Sequence, residues 1–352
     1  MILETGSLIM IFYYIRPITC LWIFNNIASS SGLGDDNYVV KPISDKQFMW
    51  ANSPFWDVKS QMLYFADITG GTVSSYNPLT GRLCTTKVVE ESNSTVSFII
   101  PIKGKTNQFV SSLGYNVTSI TWDGRGKIKS KPKFIAQLAT NTSIFIHSAK
   151  ADPMSRLWAE TIGPIGVKDG QPVPDSGAGS VYMLTADKKV IKRISNVDVP
   201  DGLAWNAQKT KFYFIDAFSG NVSSYDYDNE SGEISNRKTI FILKQHNITG
   251  FPTGATTDTE GKLWVGVFFA GQVLRIDPDT GKLLRSIKIP GKQVTSVAFG
   301  GKRLETLYVT TSQILQEISP PTKNDGRVYY VTGLKSSGKP IMGYPARSVN
   351  FT

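Results

Sequence analysis

The sequence predicts an all-β fold, a six-bladed β-propeller, from three observations: an aromatic-centred strand motif that occurs six times, a second strand motif after each copy, and a composition rich in turn residues. The chain of 352 residues is 41% hydrophobic and 19% charged, with 31 Gly and 18 Pro. These proportions are typical of a globular chain of many short strands joined by turns. One domain is the expectation, since large all-β folds reach this length as a single unit.

The first motif is a short apolar strand with an aromatic residue near its centre. Successive copies lie 45, 49, 55, 51 and 44 residues apart. The central residues are Tyr64, Phe109, Trp158, Tyr213, Trp264 and Tyr308. A repeat of about 50 residues indicates one supersecondary unit used many times. We expect this strand to be the inner strand of each unit.

A second strand follows each copy and opens on a tight turn. These strands begin at Gly71, Asn116, Gly179, Gly220, Gly271 and Gly326. Alternating Val and Tyr or Ile predicts strand geometry, and a turn such as Asp-Pro or Thr-Gly closes a hairpin. Six such units predict a six-bladed propeller over residues 40–346, with a central channel lined by inner-strand ends. A row of separate small sandwiches is the alternative, but no Pro- or Ser-rich linker divides the repeats.

The N-terminal residues 1–30 predict a signal peptide or an apolar N-terminal segment. Residues 8–27 are nearly all apolar, interrupted by Arg16 and Pro17, and small residues follow at 28–31. A signal anchor is the alternative, but it needs a longer uninterrupted span. We therefore expect a secreted, extracellular protein with no stable membrane insertion after signal removal. Cys20 lies in this segment, so a processed chain keeps only Cys84.

Glycosylation acceptors support the same expectation. The motif Asn-x-Ser/Thr occurs at Asn93, Asn116, Asn141, Asn221, Asn229, Asn247 and Asn350. Seven acceptors exceed what this composition is expected to give by chance, and they favour the secretory route and a glycoprotein.

The formal net charge of +10 raises the question of an anionic partner. The 38 Lys and Arg are scattered through the repeats and not gathered into one block. A solvated basic surface is therefore favoured, and no nucleic-acid partner is expected.

Several segments resemble the regucalcin (senescence marker protein), gluconolactonase and luciferin-regenerating-enzyme family. They include VDVPDGLAWNAQKTKFYFIDA, DTEGKLWVGVFFAGQVLRIDPDTGKL, Ile-Ser-Asn-Arg at 234–237 and Phe-Gly-Gly-Lys at 299–302. The resemblance extends from about residue 48 to 335. It implies a six-bladed propeller with one divalent cation at the channel mouth and the ability to open lactone rings.

The resemblance also implies a cation site made of a Glu, an Asn and an Asp, with the Asp as general base. At those positions this chain has Asn52, Asp201 and Thr253. Two acidic ligands have become one, so a calcium or zinc ion is expected to bind weakly here. Thr253 cannot take a proton from water as a carboxylate does. No catalytic residue is therefore assigned.

On the substrate side, the resemblance implies an Arg and an Asn where this chain has Phe145 and His147. An aromatic face replaces a guanidinium, so the ligand is expected to be less polar than an aldonolactone. His147 could act as a ligand or base near neutral pH, although a histidine bonded to backbone is the commoner case. Glu160 could reach the channel or be paired elsewhere, and Asp67 and Asp216 are expected to brace turns.

These observations predict a regucalcin/gluconolactonase-like propeller with an altered, degenerate lactonase site that binds an unidentified small-molecule ligand or protein partner. One alternative is an active lactonase or esterase, dependent on calcium or zinc, that acts on a more hydrophobic substrate. Another is a structural or signalling propeller that uses its outer faces.

Overall fold

The structure is a computed structural model that describes residues 37–90 and 94–351. The expected signal segment, Cys20 and the acceptor Asn93 lie outside the described residues. Within them the chain forms 28 strands and one short 3-10 helix, Leu243–His246. No helix of this part is long and apolar enough to cross a membrane.

The first strand, β1 (Val39–Pro42), pairs with a strand of the last blade, although most of the chain lies between the two in sequence. Blades 1 to 3 then follow in order, each a four-stranded antiparallel sheet. Blade 1 contains β2 (Ala51–Asp57), β3 (Met62–Asp67), β4 (Thr72–Asn77) and β5 (Arg82–Lys87). Blade 2 contains β6 (Ile99–Pro101), β7 (Gln108–Leu113), β8 (Asn116–Thr121) and β9 (Lys133–Gln137). Blade 3 contains β10 (Phe145–Ala151), β11 (Leu157–Ile162), the inserted hairpin β12 (Ile165–Lys168) and β13 (Gln171–Pro174), then β14 (Gly179–Leu184) and β15 (Val190–Val197).

Blades 4 to 6 repeat the arrangement. Blade 4 contains β16 (Pro200–Trp205), β17 (Lys211–Asp216), β18 (Asn221–Tyr227) and β19 (Ile234–Ile242). Blade 5 contains β20 (Phe251–Thr257), β21 (Leu263–Phe268), β22 (Gln272–Asp277) and β23 (Lys282–Lys288). Blade 6 contains β24 (Gln293–Gly300), β25 (Thr306–Ser312), β26 (Val328–Thr332) and β1, and a short hairpin follows it, β27 (Lys335–Ser336) and β28 (Lys339–Pro340). The predicted six-bladed propeller is confirmed.

The position of the aromatic-centred strands differs from the sequence prediction. They form β3, β7, β11, β17, β21 and β25, the second strand of each sheet. The innermost strands are the segments before them, and these contact one another around the axis: β2 contacts β6, β10 and β24, and β16 contacts β10 and β20. The inner strands carry Pro, Gly and polar residues, and their aromatic residues, such as Trp56 and Trp205, lie towards the ends of the strands. They therefore do not show the apolar run with a central ring by which the repeat was found.

The central aromatic residues pack between neighbouring blades. Trp158 of blade 3 lies 5.0 Å from Phe212 of blade 4, between ring centroids. Trp264 of blade 5 meets Phe299 of blade 6 edge to face at 5.6 Å. A large ring buries much apolar surface, and at a blade interface it needs the neighbouring blade to do so. This explains why the aromatic motif recurs once per blade.

The two ends of the described chain close the ring. Strand β1 pairs antiparallel with β26, with Val40 opposite Val331. Near the C-terminus, the Val349 N–H donates to the carbonyl of Pro101 in blade 2 at 3.0 Å. The last residues therefore connect blade 6 back to blade 2, while the first strand completes blade 6.

Candidate functional site

A cavity opens at the propeller axis. Its walls come from the inner strands or adjoining loops of blades 1, 3, 4, 5 and 6, which can converge only at the axis. Ten of its fourteen lining residues are apolar: Trp50, Ile165, Pro172, Val199, Ala217, Phe218, Phe251, Phe268, Ile314 and Leu315. The four polar ones are His147, Asp201, Thr253 and Thr295. The inserted hairpin of blade 3 supplies Ile165 and Pro172.

Each polar lining residue lies at an irregularity of an inner strand. The pairing of inner and second strands shifts between Ile146 and Ser148, between Pro200 and Leu203, between Thr253 and Ala255, and between Val294 and Ser296. A bulge bends the strand and re-aims a side chain that regular pleating would turn elsewhere. The bulges therefore bring these side chains to one cavity.

Asp201 is a buried carboxylic acid in this cavity. The residue is 7% exposed, and its Oδ1 atom has no hydrogen-bond partner among the described residues. The Gly254 N–H hydrogen bonds to the same carboxyl group. Burial, reinforced by the nearby charge of Glu160, raises the pKa of Asp201 well above its usual range. This carboxyl group is therefore poised to accept a proton or a bound cation.

His147 lies beside Asp201 but does not pair with it. Its Nδ1 atom is 3.8 Å from Asp201 Oδ1, beyond hydrogen-bond length. It lies 3.3 Å from the Pro200 carbonyl oxygen, which can only accept, so Nδ1 carries the hydrogen. Burial lowers the pKa of His147 to about 4, against the effect of that hydrogen bond. The imidazole is neutral at pH 7, and it is a strand histidine bonded to backbone.

Thr253 and Asn52 use their polar atoms within the protein. The Thr253 hydroxyl donates to the carbonyl of Val294 at 3.1 Å. Asn52 Nδ2 donates to the His147 carbonyl at 3.2 Å, and Asn52 Oδ1 accepts from the Ser53 N–H at 2.8 Å. Asn52 is 1% exposed and does not line the cavity. The structure thus brings Asp201, Thr253 and His147 together but turns the amide of Asn52 to the backbone of blade 3.

Phe145 lies near the cavity and not in its lining. Its ring meets that of Trp50 edge to face at 6.2 Å, and Trp50 in turn lies 5.2 Å from the ring of His147. Phe145 therefore supports a lining residue. Both acids expected to brace turns do so. Asp67 accepts the N–H groups of Met49 and Trp50, and Asp216 hydrogen bonds to Ser219 in the turn that follows it.

Glu160 and Lys150 form a charged cluster next to Asp201, and the sequence pointed only to Glu160. Glu160 is fully buried and accepts hydrogen bonds from the Ser148 hydroxyl and the Gly202 N–H. Lys150 donates to the Ala255 carbonyl and interacts electrostatically with Glu160. Burial raises the pKa of Glu160 to about 7, and loss of hydration lowers that of Lys150 to about 8. Glu160 is thus a paired acid.

Lys150 was missed because no motif marks it. It lies two residues after Ser148 on β10, and its position opposite Trp158 of β11 becomes visible only with the strand register. The aromatic lining residues Trp50, Phe218 and Phe251 were also missed. Their positions offered a signal in the sequence: Trp50 directly precedes β2, Phe251 begins β20, and Phe218 follows β17.

The residues at the expected cation site do not fit a divalent ion. Hard cations require several oxygen ligands with enough negative charge. Here Asp201 is the single carboxylate, the Asn52 amide is engaged with backbone on both sides, and Thr253 donates to a carbonyl. Across residues 37–90 and 94–351, no group of three or more His, Cys, Asp or Glu side chains could hold a metal ion.

Glycines of the two inner-strand motifs are required by close packing. A Cβ atom on Gly254 would lie 2.2 Å from Ser296 Oγ, and one on Gly202 would lie 2.7 Å from Ile215 Cδ1. Any larger residue would push neighbouring inner strands or side chains apart. The Asp-Gly and Thr-Gly pairs therefore require their glycines for packing.

Comparison with known proteins identifies relatives over most of the chain. Residues 50–313 match the family model described as SMP-30/Gluconolactonase/LRE-like region. Regucalcin of Danio rerio is 33% identical over 294 residues, which cover 83% of this chain and 93% of that protein. Regucalcin of Gallus gallus is 30% identical over 308 residues, covering 86% of this chain and 96% of its own.

Two solved structures have the same architecture. A luciferin-regenerating enzyme superposes with a TM-score of 0.81 at 35% identity, covering 89% of this chain and 99% of that one. A regucalcin of Agrobacterium tumefaciens, described as a calcium-binding protein, superposes with a TM-score of 0.75 at 19% identity, covering 89% and 97%. At that identity, the second likeness concerns the fold alone.

Proposed function

The chain belongs to the SMP-30/gluconolactonase/LRE-like family, and from this premise we propose that it is a ligand-binding propeller. It takes an apolar small molecule in the axial cavity, and it does not open lactones with the help of a divalent cation. The lactonase site of the resemblance is degenerate in this chain.

One observation carries the proposal. The axial cavity has a predominantly apolar lining and a single carboxyl group, Asp201, while the side chains of Asn52 and Thr253 bond to backbone groups. An apolar lining with a few placed polar groups is the usual form of a small-molecule site.

The chemistry of lactone opening supports the negative part of the proposal. A bound cation polarises the lactone carbonyl, and a carboxylate takes a proton from the attacking water. Thr253 occupies the position of the expected base, and its hydroxyl has no acid–base function near neutral pH and donates to the Val294 carbonyl. His147 is a poor replacement, because burial lowers its pKa to about 4 and leaves it a weak base.

The first test compares the parent protein with a variant in which the expected ligand set is restored. The triple substitution Asn52→Glu, Asp201→Asn and Thr253→Asp provides two carboxylates and an amide. Calcium, zinc and manganese are titrated by calorimetry, and hydrolysis of gluconolactone is followed in the same buffer. We expect no cation-dependent hydrolysis by the parent and measurable hydrolysis by the variant. Cation-dependent turnover of a lactone by the parent, including a hydrophobic one, contradicts the proposal.

The second test concerns binding. A neutral apolar dye, N-phenyl-1-naphthylamine, is expected to gain fluorescence on entering the cavity of the parent. Ile314→Trp adds bulk to the cavity lining and should reduce this signal. Leu79→Trp is the matched control, because Leu79 is 93% exposed on a turn of blade 1. Equal dye binding by all three proteins would mean that the dye does not use the axial cavity.

Secretion and glycosylation are part of the same proposal. The seven acceptor motifs support them, and two of the acceptors, Asn141 and Asn247, are exposed. Expression of the full chain in a eukaryotic secretory host should give extracellular protein whose mass falls on enzymatic N-glycan release, with Asn141 and Asn247 converted to Asp. Ser143→Ala and Thr249→Ala should each remove one of these glycans. Retention of an unmodified chain inside the cell contradicts secretion.

A further inference from the structure

Asp201 is an acidic group that the protein leaves without a positive partner. The residue is 7% exposed, it lines the cavity, and its Oδ1 atom has no hydrogen-bond partner in the described part of the chain. A buried carboxylate without a counter-charge is costly, so such a group awaits a cation or keeps a proton.

The polar groups around Asp201 are committed elsewhere. His147 directs its Nδ1 hydrogen to the Pro200 carbonyl, and its ring is 3.8 Å from Asp201 Oδ1. Thr295 donates to the Ala51 carbonyl at 2.5 Å. Lys150 donates to the Ala255 carbonyl and interacts with Glu160. The protein thus provides no internal cation for Asp201.

The rest of the cavity suits a positive charge that carries an apolar body. Four aromatic residues line it, Trp50, Phe218, Phe251 and Phe268, with the rings of Phe218 and Phe251 stacked at 4.6 Å. Aromatic faces attract organic ammonium groups, and the attraction grows when the site is desolvated. A metal ion would gain little here, because the other side-chain oxygens of the lining are the neutral hydroxyls of Thr253 and Thr295, and both donate to backbone carbonyls.

Resting on the proposed function, we propose that the ligand of the axial cavity is an apolar organic amine. Its ammonium group pairs with the Asp201 carboxylate, and its apolar body packs against the aromatic lining. No covalent bond of the ligand is made or broken, and a proton held by the empty Asp201 carboxyl group passes to solvent as the ammonium group binds. Specificity for the amine arises because an uncharged molecule of the same shape leaves Asp201 unpaired.

The test uses three probes of nearly equal shape on the full secreted chain: benzylamine, benzyl alcohol and ethylbenzene. Binding is measured by calorimetry at neutral pH and constant ionic strength. We expect benzylamine to bind at least about tenfold more tightly than either uncharged probe, as a charge-assisted hydrogen bond implies. This comparison needs no variant, so it remains decisive even if a substitution prevents folding.

The Asp201→Asn variant then isolates the carboxylate. We expect benzylamine affinity to fall by about ten- to a hundredfold, while benzyl alcohol and ethylbenzene affinities stay nearly unchanged. Asp279→Asn is the matched control, since it removes the same charge from an exposed turn of blade 5 and should leave all three affinities as in the parent.

Three outcomes overturn the inference. If the three probes bind the parent equally, the apolar-ligand function stands and the preference for an amine does not. If calcium displaces benzylamine from the parent at micromolar concentration and fails to bind Asp201→Asn, the cation of this site is a metal. If neither the probes nor the neutral dye bind, the proposed function fails as well.

Discussion

At the scale of single residues, the Glu160 carboxyl group links its own strand β11 to β10 and β16 by hydrogen bonds. It accepts from Ser148 of β10 and from Gly202 of β16, and it balances the charge of Lys150. The sequence could identify Glu160 as an unusual strand residue, but not its partners. Those depend on which residue of β10 stands opposite it, and on a bulge that no composition rule locates.

The pH dependence of stability should report on Glu160. Burial raises its folded-state pKa to about 7, above the value of 4.5 that a glutamate has in the unfolded chain. The folded chain therefore keeps a proton that the unfolded chain releases over this window. The resulting stabilisation is present below pH 4.5 and is lost as the pH rises through 7.

Glu160→Gln removes this titration. Relative to the parent, its free energy of unfolding should rise between pH 4.5 and 7, by up to about 3 kcal/mol. Urea unfolding at several pH values across this window measures the difference. Glu317→Gln, at an exposed position, should follow the parent curve. Parallel curves for Glu160→Gln and the parent would show that the carboxyl group does not titrate as inferred.

At the same scale, substitution of the expected base by Thr253 could be predicted from the sequence. The prediction of a weakened cation site stays a prediction, and the structure supplies a physical reason for it in the hydrogen bonds of Asn52 and Thr253. The sequence already placed Asp201 at this site, but its burial and the missing partner of Oδ1 are properties of the fold.

At the scale of single elements, a buried aspartate occurs in the first hairpin of two blades. Asp152 accepts from Trp158 Nε1 at 3.0 Å, and Asp258 accepts from Trp264 Nε1 at 2.9 Å. Each acid precedes its tryptophan by six residues. Each also pairs with an arginine, Asp152 with Arg156 and Asp258 with Arg275. These acids join the turn to the aromatic strand in blades 3 and 5.

Asp152→Asn should therefore lower the free energy of unfolding by about 3–5 kcal/mol, because Arg156 is left without its acidic partner in a buried site. Both groups are at most 9% exposed. Asp277→Asn is a suitable comparison, since its pair with Lys262 is partly exposed and is expected to contribute about 1 kcal/mol or less. Chemical denaturation measures both. An equally small effect of the two substitutions would exclude the bracing role of Asp152.

Among the strands of each blade, the sequence predicted the second strand and not the inner one. The second strands have a period of two and a central ring, and both properties follow from packing between blades. The inner strands contain residues such as Pro200, Gly202 and Gly254, and bulges interrupt their pairing. Their form is imposed by neighbours around the axis, so local propensity could not predict them as strands.

At the scale of the whole molecule, the ring closes through β1 and β26. This joint depends on hydrogen bonds between segments from opposite ends of the described chain, with Val40 directly opposite Val331. The six-fold repeat predicted the number of blades, but no repeat indicated that residues 39–42 would complete the last one. Only closure of the ring creates that requirement.

A disulfide across the joint should stabilise the fold. Opposed residues of antiparallel strands have Cα separations within the range that a disulfide spans. We expect the oxidised Val40→Cys/Val331→Cys variant to melt roughly 5 °C or more above its reduced form, because the crosslink restricts a very long loop in the unfolded chain. Differential scanning calorimetry with and without reductant provides the measurement and its internal control. Identical melting of the two forms would contradict the expected restriction of the unfolded chain.

The pairing of β1 with β26 also sets an order of events during biosynthesis. A ribosome makes β1 first and must add nearly three hundred residues before β26 exists, which takes about 15 to 60 s at usual elongation rates. Through that interval the early strand has no partner, and an unpaired strand edge invites association with other chains. The edge of this early strand therefore stays open to association until the last blade has been synthesised.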